Sequence, residues 1–538
     1  MFPTQLTGLR SQWPTALFLV GLAAIWIFIG QTWLFVGPSE WDDVLYVEIA
    51  SLPTPMAEVR NRYVHIWLLR IFQHIFDSRA FASGLYANVI VVLAAALCFG
   101  FGRAAAGISC GVIAALIMPL NLAFLKWITV PYVDPCMALW SGCAVFAAAA
   151  GTRVAHPHSR IGWLVFAGFC TYFAIKSKET GIAVIPIVLL IILHHQKKHY
   201  SASLVAGGFL VGWLTLVCLD AAFTDSTWPW RSSDWGIYLG VPSEPPKATP
   251  IPHIIRMHAN YVEQLIRAGH LGVTLLATAG AIRGFRNNLF IRASSLWWCA
   301  SLLFGSVIAV YRIGLFADER YLAAFAPAMT VLAAFEIVSL YRNARSKYWK
   351  EGILAIVVVA GAVCLPIGYL LLDITNSATE RTSRAIFFML PVGILISFTT
   401  AEIIKNRIAV TFTLIALGSL TAISNLNESR HHVLASRARI EPWKKVAALT
   451  DDAHVSLIRW RLPDRPLPKY QVRRRLRVLS KRPLAQVIVT NEQNLPHSND
   501  KKWVFALGQH DGRLEKLHWI QVAQGLDGVW WSVYRPPM

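Results

Sequence analysis

Charged side chains are scarce in this sequence: they make up 15% of its 538 residues, whereas 55% are hydrophobic. The mean hydropathy is +0.48, well above that of a soluble domain with a mixed polar surface, so a single soluble core is excluded. Many windows reach the roughly 20 apolar residues that a helix needs to cross a bilayer. The sequence therefore predicts a polytopic α-helical membrane protein.

Further absences narrow the class of function. The polar C-terminal tail contains no cysteine, and all eight cysteines fall in or beside apolar windows, which predicts small buried side chains and no disulfide framework. No His or Cys cluster has metal-site spacing, and no internal repeat of fixed period is visible, which disfavours solenoid and inverted-repeat transporter folds. A soluble nucleotide-sugar enzyme would show a nucleotide-binding α/β pattern, and none is present.

Apolar windows predict about thirteen membrane spans, the first of them a retained span and not a signal peptide. Alternate loops then separate by charge: one set is basic with almost no acid, and the other carries most of the acidic residues. The positive-inside rule makes the first set cytoplasmic and the second set, with the C-terminal tail, outward. The windows lie near residues 14–36, 80–101, 104–123, 135–151, 161–176, 180–194, 201–222, 271–283, 293–313, 321–340, 352–373, 385–401 and 408–424.

Three outward segments are too long to be simple turns: 37–80, 223–270 and 428–538. Segment 37–80 contains two amphipathic stretches, Asp42 to Leu52 and Met56 to Phe76, which predict interfacial helices. In the second stretch we expect one face to hold Trp67, Leu68, Ile71 and Ile75. Residues 1–427 are thus a transmembrane module. Residues 428–538, with the strand-like runs VSLIRW, AQVIVT, KKWVFALG and GVWWSVY, predict a small extracytoplasmic α/β or α+β domain.

The basic charge is concentrated in the tail. The whole chain has a formal charge of +20, and residues 428–538 hold twenty Lys or Arg against ten Asp or Glu. This pattern favours a solvated basic face near the membrane, with binding of an anionic acceptor or lipid as the alternative. Nucleic acid is not expected on the outer side of a membrane.

Ionisable side chains lie mainly at the outward ends of the predicted spans. A charged group there has a high free-energy cost unless it is solvated, forms an ion pair or serves the function of the protein. Carboxylates can deprotonate an acceptor hydroxyl or hold a metal, and basic groups can neutralise a phosphate leaving group. Together, such carboxylates and basic groups suit a reaction that transfers a chemical group from a lipid phosphate to an acceptor hydroxyl. The groups are Asp42 and Asp43 with Glu48, Arg62 with His65, Lys126 with Asp134, Lys176 with Lys178 and Glu179, and Asp318 with Glu319 and Arg320.

The segment DDVLYVEIA resembles the D-[DE]-x-x-Y-x-E-I-A stretch in the first outward loop of GT-C fold glycosyltransferases, notably lipid A aminoarabinose transferases and protein O-mannosyltransferases. The resemblance covers residues 14–340 and includes KWITVPYVDPCMALW, FAIKSKETGIAVIP and FADERYLAAFAPAM. It implies a GT-C fold and a polyprenyl-phosphate sugar as donor. It allows a divalent cation without requiring one.

The resemblance also implies roles for particular residues. Asp42 would be the general base or orient the attacking hydroxyl, and Asp43 would shape the site or help to hold a cation. Lys178 and Arg320 would meet the donor phosphate. The lysine-proline pair of many members is missing, and in NRYVHIW the residues Arg62 or His65 would replace the lysine. The remaining site candidates are Tyr46, Glu48, Tyr132, Asp134 and Glu179.

Simpler interpretations exist for several of these residues. PSEWDD also fits a helix start with Ser39 as N-cap and acids in the first turn. Lys178 could snorkel beside Glu179, and Arg320 could pair with Asp318 or Glu319.

The resulting prediction is an inverting glycosyltransferase of the bacterial inner (plasma) membrane, acting outside the cytoplasm on a glycolipid, glycan or protein. The alternatives are a transporter or flippase for a polyprenyl-linked or anionic glycolipid, which would need charges near the middle of the membrane, and a receptor for an acidic glycan.

Overall fold

A computed structural model describes most of the first two thirds of the transmembrane module and the strands of the tail. The described residues are 62–76, 79–121, 132–193, 198–223, 271–286, 288–311 and 323–343, strand segments between 455 and 535, and the isolated positions 20, 21, 23, 24, 26, 27, 46, 47, 49, 50 and 124. The predicted spans 352–373, 385–401 and 408–424 and the outward segment 223–270 lie outside these residues.

Within the described ranges, nine of the predicted windows coincide with helices, and six isolated helical positions between 20 and 27 fall in the first window. Two windows divide: 104–123 ends in a 3-10 turn at Met118–Leu120, and 180–194 begins with a 3-10 turn at Glu179–Ala183. The α-helices are α1 Tyr63–Ile75, α2 Arg79–Ala106, α3 Ile108–Ile117, α4 Val133–Arg153, α5 Pro157–Ser177, α6 Val184–Leu193, α7 Lys198–Phe223, α8 Leu271–Gly284, α9 Leu289–Tyr311 and α10 Ala326–Asn343.

Three of the described helices are long and apolar enough to cross a bilayer, within α2, α4 and α7. Two pairs of consecutive helices pack together, α2 against α3 and α4 against α5, and α5 also packs against α7. The α2 to α3 connection turns at Gly107, whose φ of 91° lies in the left-handed region that side chains with a Cβ rarely adopt. The chain is thus a multi-pass helical membrane protein.

The ends of the helices follow the predicted alternation of loops. The Asn288 side chain, at the start of α9, donates a hydrogen bond to the carbonyl of Ala105 at the end of α2 (2.8 Å). Arg153, at the end of α4, lies 5.7 Å from the ring centroid of Phe290. Three of the loops expected to be cytoplasmic, near Arg103, at 152–160 and at 283–292, therefore meet at one end of the bundle, although which side of the membrane that end faces stays a prediction.

Helix α1 confirms that the second amphipathic stretch is helical, while its position in the membrane interface stays a prediction. Trp67 is buried, while Ile71 and Ile75 on the same stripe are 41% and 65% exposed. The buried residues of α1, such as Val64 and Leu69, lie in the first half of the helix, because this half packs against the other helices. The stripe is therefore buried against the protein at Trp67 and exposed at Ile71 and Ile75.

The tail contains a five-stranded sheet with the strand order β2-β1-β3-β5-β4. Strand β1 pairs in parallel with β2 and β3, whereas β5 pairs antiparallel with β3 and β4. The four predicted runs each contain a strand, but the sequence did not predict β4, since a register shift between Gln521 and Ala523 breaks its alternation. The strands are β1 Val455–Arg459, β2 Ile488–Thr490, β3 Trp503–Leu507, β4 Ile520–Leu526 and β5 Trp530–Arg535.

The cysteine prediction is correct only in part. Four cysteines of the described helices are buried and Cys143 is half-buried, but Cys218 and Cys299 are exposed on the outer surfaces of α7 and α9. A thiol is apolar enough to lie on a surface that faces lipid, so an apolar window does not distinguish core from lipid-facing positions. The seven cysteines in the described ranges are all free thiols.

Candidate active site

An ion pair between α4 and α5 forms the centre of the candidate site. Lys178 Nζ lies 2.5 Å from Asp134 Oδ1, and the two side chains are 4% and 1% exposed. The other carboxylate oxygen, Asp134 Oδ2, is buried and has no hydrogen-bond partner in the part of the chain that the structure describes. The sequence placed these two residues in separate outward groups, 44 positions apart, and the structure brings them together.

Both charges lie at helix ends that suit their sign. Asp134 is in the first turn of α4, where the partial positive charge of the helix terminus favours a carboxylate. Lys178 follows the last residue of α5 and adopts an extended backbone, with its N–H donating to the carbonyl of Ala174 (3.2 Å). The chain then enters the 3-10 turn that begins at Glu179. The break between α5 and α6 thus directs Lys178 toward α4.

A line of buried polar side chains runs beside the ion pair. Ser177 and Cys136, the neighbours of Lys178 and Asp134 along the chain, lie 3.6 Å apart (Oγ to Sγ). The ends of α4 and α5 are therefore joined by two polar contacts at one level.

Helix α1 and the segment before it form a second polar group together with Tyr86 of α2. His65 is fully buried, and its Nδ1 is 2.7 Å from the Tyr86 hydroxyl. The His65 ring makes edge contacts with both Tyr86 and Tyr46, at centroid distances of 5.2 and 5.3 Å. Arg62 donates a hydrogen bond to the hydroxyl of Tyr46 and also lies over its ring. Because α1 packs against α4 and α5, these residues of the first outward segment lie beside the helices that carry the ion pair.

This arrangement can fix a buried ammonium group at one end of the bundle. The carboxylate of Asp134 balances the positive charge of Lys178 in the structure. A bound anion would therefore either share the ammonium group with this carboxylate or displace the carboxylate from it. Arg62 adds a second cation on the side of α1. A buried carboxylate oxygen without a donor is able to accept a hydrogen bond from a hydroxyl. Within the described ranges, no three His, Cys, Asp or Glu side chains lie close enough to hold a metal ion.

The predicted site residues divide into two groups. Six that the structure describes are near the cluster or part of it: Tyr46, Arg62, His65, Tyr132, Asp134 and Lys178. Of these, Tyr132 is buried at the residue before α4. Four others lie outside the described residues, namely Asp42, Asp43, Glu48 and Arg320, and for Glu179 the structure describes the backbone. The catalytic and phosphate-binding roles all stay predictions.

Sequence reasoning missed Tyr86, Cys136 and Ser177 as members of the cluster. Each lies in or beside an apolar window, where one hydroxyl or thiol barely changes the hydropathy. The only available signals were the tyrosine near the outward end of α2 and the positions of Cys136 and Ser177 beside charged residues.

Comparison with known proteins gives solved structures only: no protein-family model and no curated protein matches the chain. The chain is similar to ArnT from Cupriavidus metallidurans in the apo state, with 14% identity and a TM-score of 0.60. It is also similar to ArnT from the same organism bound to undecaprenyl phosphate, with 15% identity and a TM-score of 0.61. In both cases the match covers 97% of this chain and 98% of the other. The chain therefore has the GT-C fold.

Proposed function

We propose that this chain is an integral-membrane glycosyltransferase that moves a sugar from a polyprenyl-phosphate donor to the hydroxyl of an envelope glycolipid, glycan or protein. The reaction takes place on the extracytoplasmic face of the bacterial inner membrane. The buried Lys178–Asp134 pair carries the proposal, because it lies beside residues of the first outward segment in a GT-C fold. The undecaprenyl phosphate bound to a similar structure supports the class of donor lipid.

In this proposal the reaction is a single displacement. Asp42 takes the proton from the acceptor hydroxyl, whose oxygen attacks the anomeric carbon as the bond from that carbon to the phosphate oxygen breaks. The polyprenyl phosphate leaves with the bonding electrons, and the configuration at the anomeric carbon is inverted. Asp43 shapes the site around Asp42. Because negative charge grows on the leaving phosphate, cations fixed beside it stabilise the transition state.

The cations come from different parts of the chain. Lys178 and Arg320 meet the phosphate, and Arg62 and His65 supply the contacts for which the related enzymes use a lysine. Asp134 holds Lys178 in place before the donor arrives. Tyr46, Glu48, Tyr132 and Glu179 complete the surroundings of the reacting groups.

A transporter or flippase is the weaker candidate. It would carry its charged groups near the middle of the membrane, where a transported substrate must bind. In the described ranges, the two ion pairs each involve a residue at a helix end: Asp134 and Lys178 between α4 and α5, and Arg283 in the last turn of α8. Charges at helix ends fit chemistry at the surface of the membrane better than passage through it.

The proposal is tested by Asp42→Asn in purified protein supplied with native lipid extract. We expect sugar transfer to fall by about 100-fold or more, since the amide cannot act as a base. Mass spectrometry of envelope material from cells with and without the protein identifies the modified acceptor. Asp77→Asn is the matched control, since Asp77 lies in the same outward segment but outside the DDVLYVEIA stretch. Normal transfer by Asp42→Asn would contradict the mechanism.

A further inference from the structure

We propose that Asp134 is a competing counter-ion: its carboxylate limits how tightly Lys178 holds the phosphate of the polyprenyl product, and so allows that product to leave. The inference rests on the proposed function, because it takes the lipid phosphate as the ligand of Lys178. Whether a bound phosphate shares the ammonium with Asp134 or displaces the carboxylate, the two anions compete for the charge of one ammonium group.

The contact between the two side chains is direct and buried. Lys178 Nζ lies 2.5 Å from Asp134 Oδ1, and the side chains are 4% and 1% exposed. Within the described residues, Oδ2 of the same carboxylate has no hydrogen-bond partner. No second donor in that part of the chain therefore offsets the negative charge of Asp134, and this charge acts on Lys178 and on any ligand of Lys178.

Burial makes the competition between the two anions strong. Charges interact more strongly inside a protein than in water, because less solvent screens them. A phosphate that reaches Lys178 gains the attraction of the ammonium but is repelled by the carboxylate beside it. The site therefore binds a phosphate less tightly than a buried ammonium without a counter-ion would.

The charge of the lipid phosphate changes during the proposed reaction. The donor is a phosphodiester, since its phosphate joins the sugar to the polyprenyl chain, and it carries a single negative charge. When the bond to the sugar breaks, the phosphate keeps the bonding electrons and becomes a monoester with a charge of about −1.5 to −2 at pH 7. An uncompensated ammonium would hold this product more tightly than the donor. The carboxylate of Asp134 repels the product more than the donor, which reduces this advantage.

A role in which Asp134 only orients Lys178 predicts the opposite change in phosphate binding. The variant Asp134→Asn removes the negative charge but keeps a side-chain oxygen that can accept a hydrogen bond from the ammonium. If Asp134 only orients Lys178, the loss of the ion pair leaves the ammonium less well placed, and phosphate binds more weakly. If Asp134 is a competing counter-ion, phosphate binds more tightly.

The experiment uses three probes with the same hydrocarbon chain: undecaprenyl phosphate, its methyl ester and the uncharged alcohol undecaprenol. The methyl ester is a phosphodiester and represents the charge of the donor. Dissociation constants are measured for the full-length protein in detergent. For Asp134→Asn we expect undecaprenyl phosphate to bind about tenfold more tightly, the methyl ester about threefold more tightly, and undecaprenol to change by less than about twofold. A gain of less than about threefold for undecaprenyl phosphate, or weaker binding, would overturn the inference.

Glu336→Gln is the matched control, because it also replaces a buried, paired carboxylate by an amide. Glu336 is 2% exposed and its Oε1 lies 3.0 Å from Arg283, which belongs to the last turn of α8. That turn leads into the loop that meets the Arg153 end of α4, whereas Asp134 is at the other end of α4. We expect no probe to change by more than about twofold. Equal tightening in both variants would mean that the effect does not come from the charge beside Lys178.

The unmodified protein provides a measurement that does not depend on the stability of a variant. If Asp134 offsets the extra charge of the product, the dissociation constants of undecaprenyl phosphate and its methyl ester should agree within about fivefold. A larger preference for undecaprenyl phosphate would show that the extra charge is not offset, and the inference would fail.

Sugar transfer in the same preparations separates this inference from the proposed function. Added undecaprenyl phosphate should inhibit Asp134→Asn at concentrations about tenfold lower than the unmodified protein, because the variant retains the product. If the unmodified protein transfers no sugar from native lipid extract, the proposed function is wrong. If it transfers sugar and Asp134→Asn binds undecaprenyl phosphate no more tightly, the carboxylate does not compete, and only this inference fails.

Discussion

The burial of the Lys178–Asp134 pair leads to a quantitative prediction for protein stability. Lys178→Met removes the ammonium but keeps a side chain of similar length. The carboxylate of Asp134 then stays at 1% exposure with its cation gone. The converse change, Asp134→Asn, leaves the ammonium in place with a neutral amide beside it.

The magnitude follows from two opposing terms. At 2.5 Å and an effective dielectric constant of 20, the attraction between two unit charges is roughly 7 kcal/mol. The removal of each ion from water costs several kcal/mol, so the pair as a whole contributes little net stability. A single variant loses the attraction and retains one of the two desolvation costs. We therefore expect each single variant to lower the free energy of unfolding by about 3–5 kcal/mol.

The double variant Lys178→Met/Asp134→Asn should be much closer to the unmodified protein. It removes both charges and both desolvation costs, so its free energy of unfolding should lie within about 2 kcal/mol of the original value. The cycle of the four proteins then gives a coupling energy of roughly 3 kcal/mol or more. Reversible unfolding in mixed micelles of a mild and a denaturing detergent, followed by tryptophan fluorescence, provides the four free energies.

Two results would refute this reasoning. If each single variant costs less than about 1 kcal/mol, the pair behaves as a solvated surface pair and is not buried in the working protein. If the costs of the two single variants add in the double variant, the two side chains do not interact. Arg70→Met is the control, because Arg70 is half-buried and lies 5.1 Å from the ring centroid of Trp67, a contact worth about 1 kcal/mol or less.

Two further predictions concern the helices away from the site. Arg283→Met should lower the free energy of unfolding by about 1–3 kcal/mol, less than Lys178→Met, because Arg283 is 35% exposed although its partner Glu336 (3.0 Å) is buried. In α5, Gly168→Ala should destabilise by about 1–3 kcal/mol, since the new Cβ would lie 1.9 Å from the Val205 carbonyl oxygen. Gly162→Ala, with open space around it, should stabilise by about 0.5–1 kcal/mol. The same unfolding assay measures all three, and equal signs for the two glycine variants would contradict the α5–α7 packing.

The helices of the transmembrane module were largely predictable because a span has a strong physical signature. Length and hydropathy place the ends of α2, α4 and α7 to within about five residues, since each unpaired backbone group in hydrocarbon is costly. The position of Gly107 was less clear, because the turn there falls inside a stretch that is apolar on both sides. Strand β4 was missed because the shift at Gln521 and Ala523 hides its period.

The candidate site was predictable only through its charges. Asp134 and Lys178 stand out because carboxylates and ammonium groups are rare near a span. Their pairing could not be read from the sequence, since it depends on how α4 and α5 pack. The contact between Cys136 and Ser177 was hidden for another reason: both are small residues common in cores, and their contact depends on rotations of the helices that hydropathy does not encode.

The contacts between α4 and α5 come in a pair, Asp134 with Lys178 and Cys136 with Ser177. With a single contact, the two helix ends could still rotate relative to each other. Two adjacent contacts fix the relative orientation of the two helix ends as well as the distance between them. The insertion of a single residue in α4 between Arg153 and Cys136 would rotate this end of the helix by about 100°, if the Arg153 end stays fixed, and misalign both contacts at once. The lengths of these two helices are therefore as much a part of the site as the side chains at their ends.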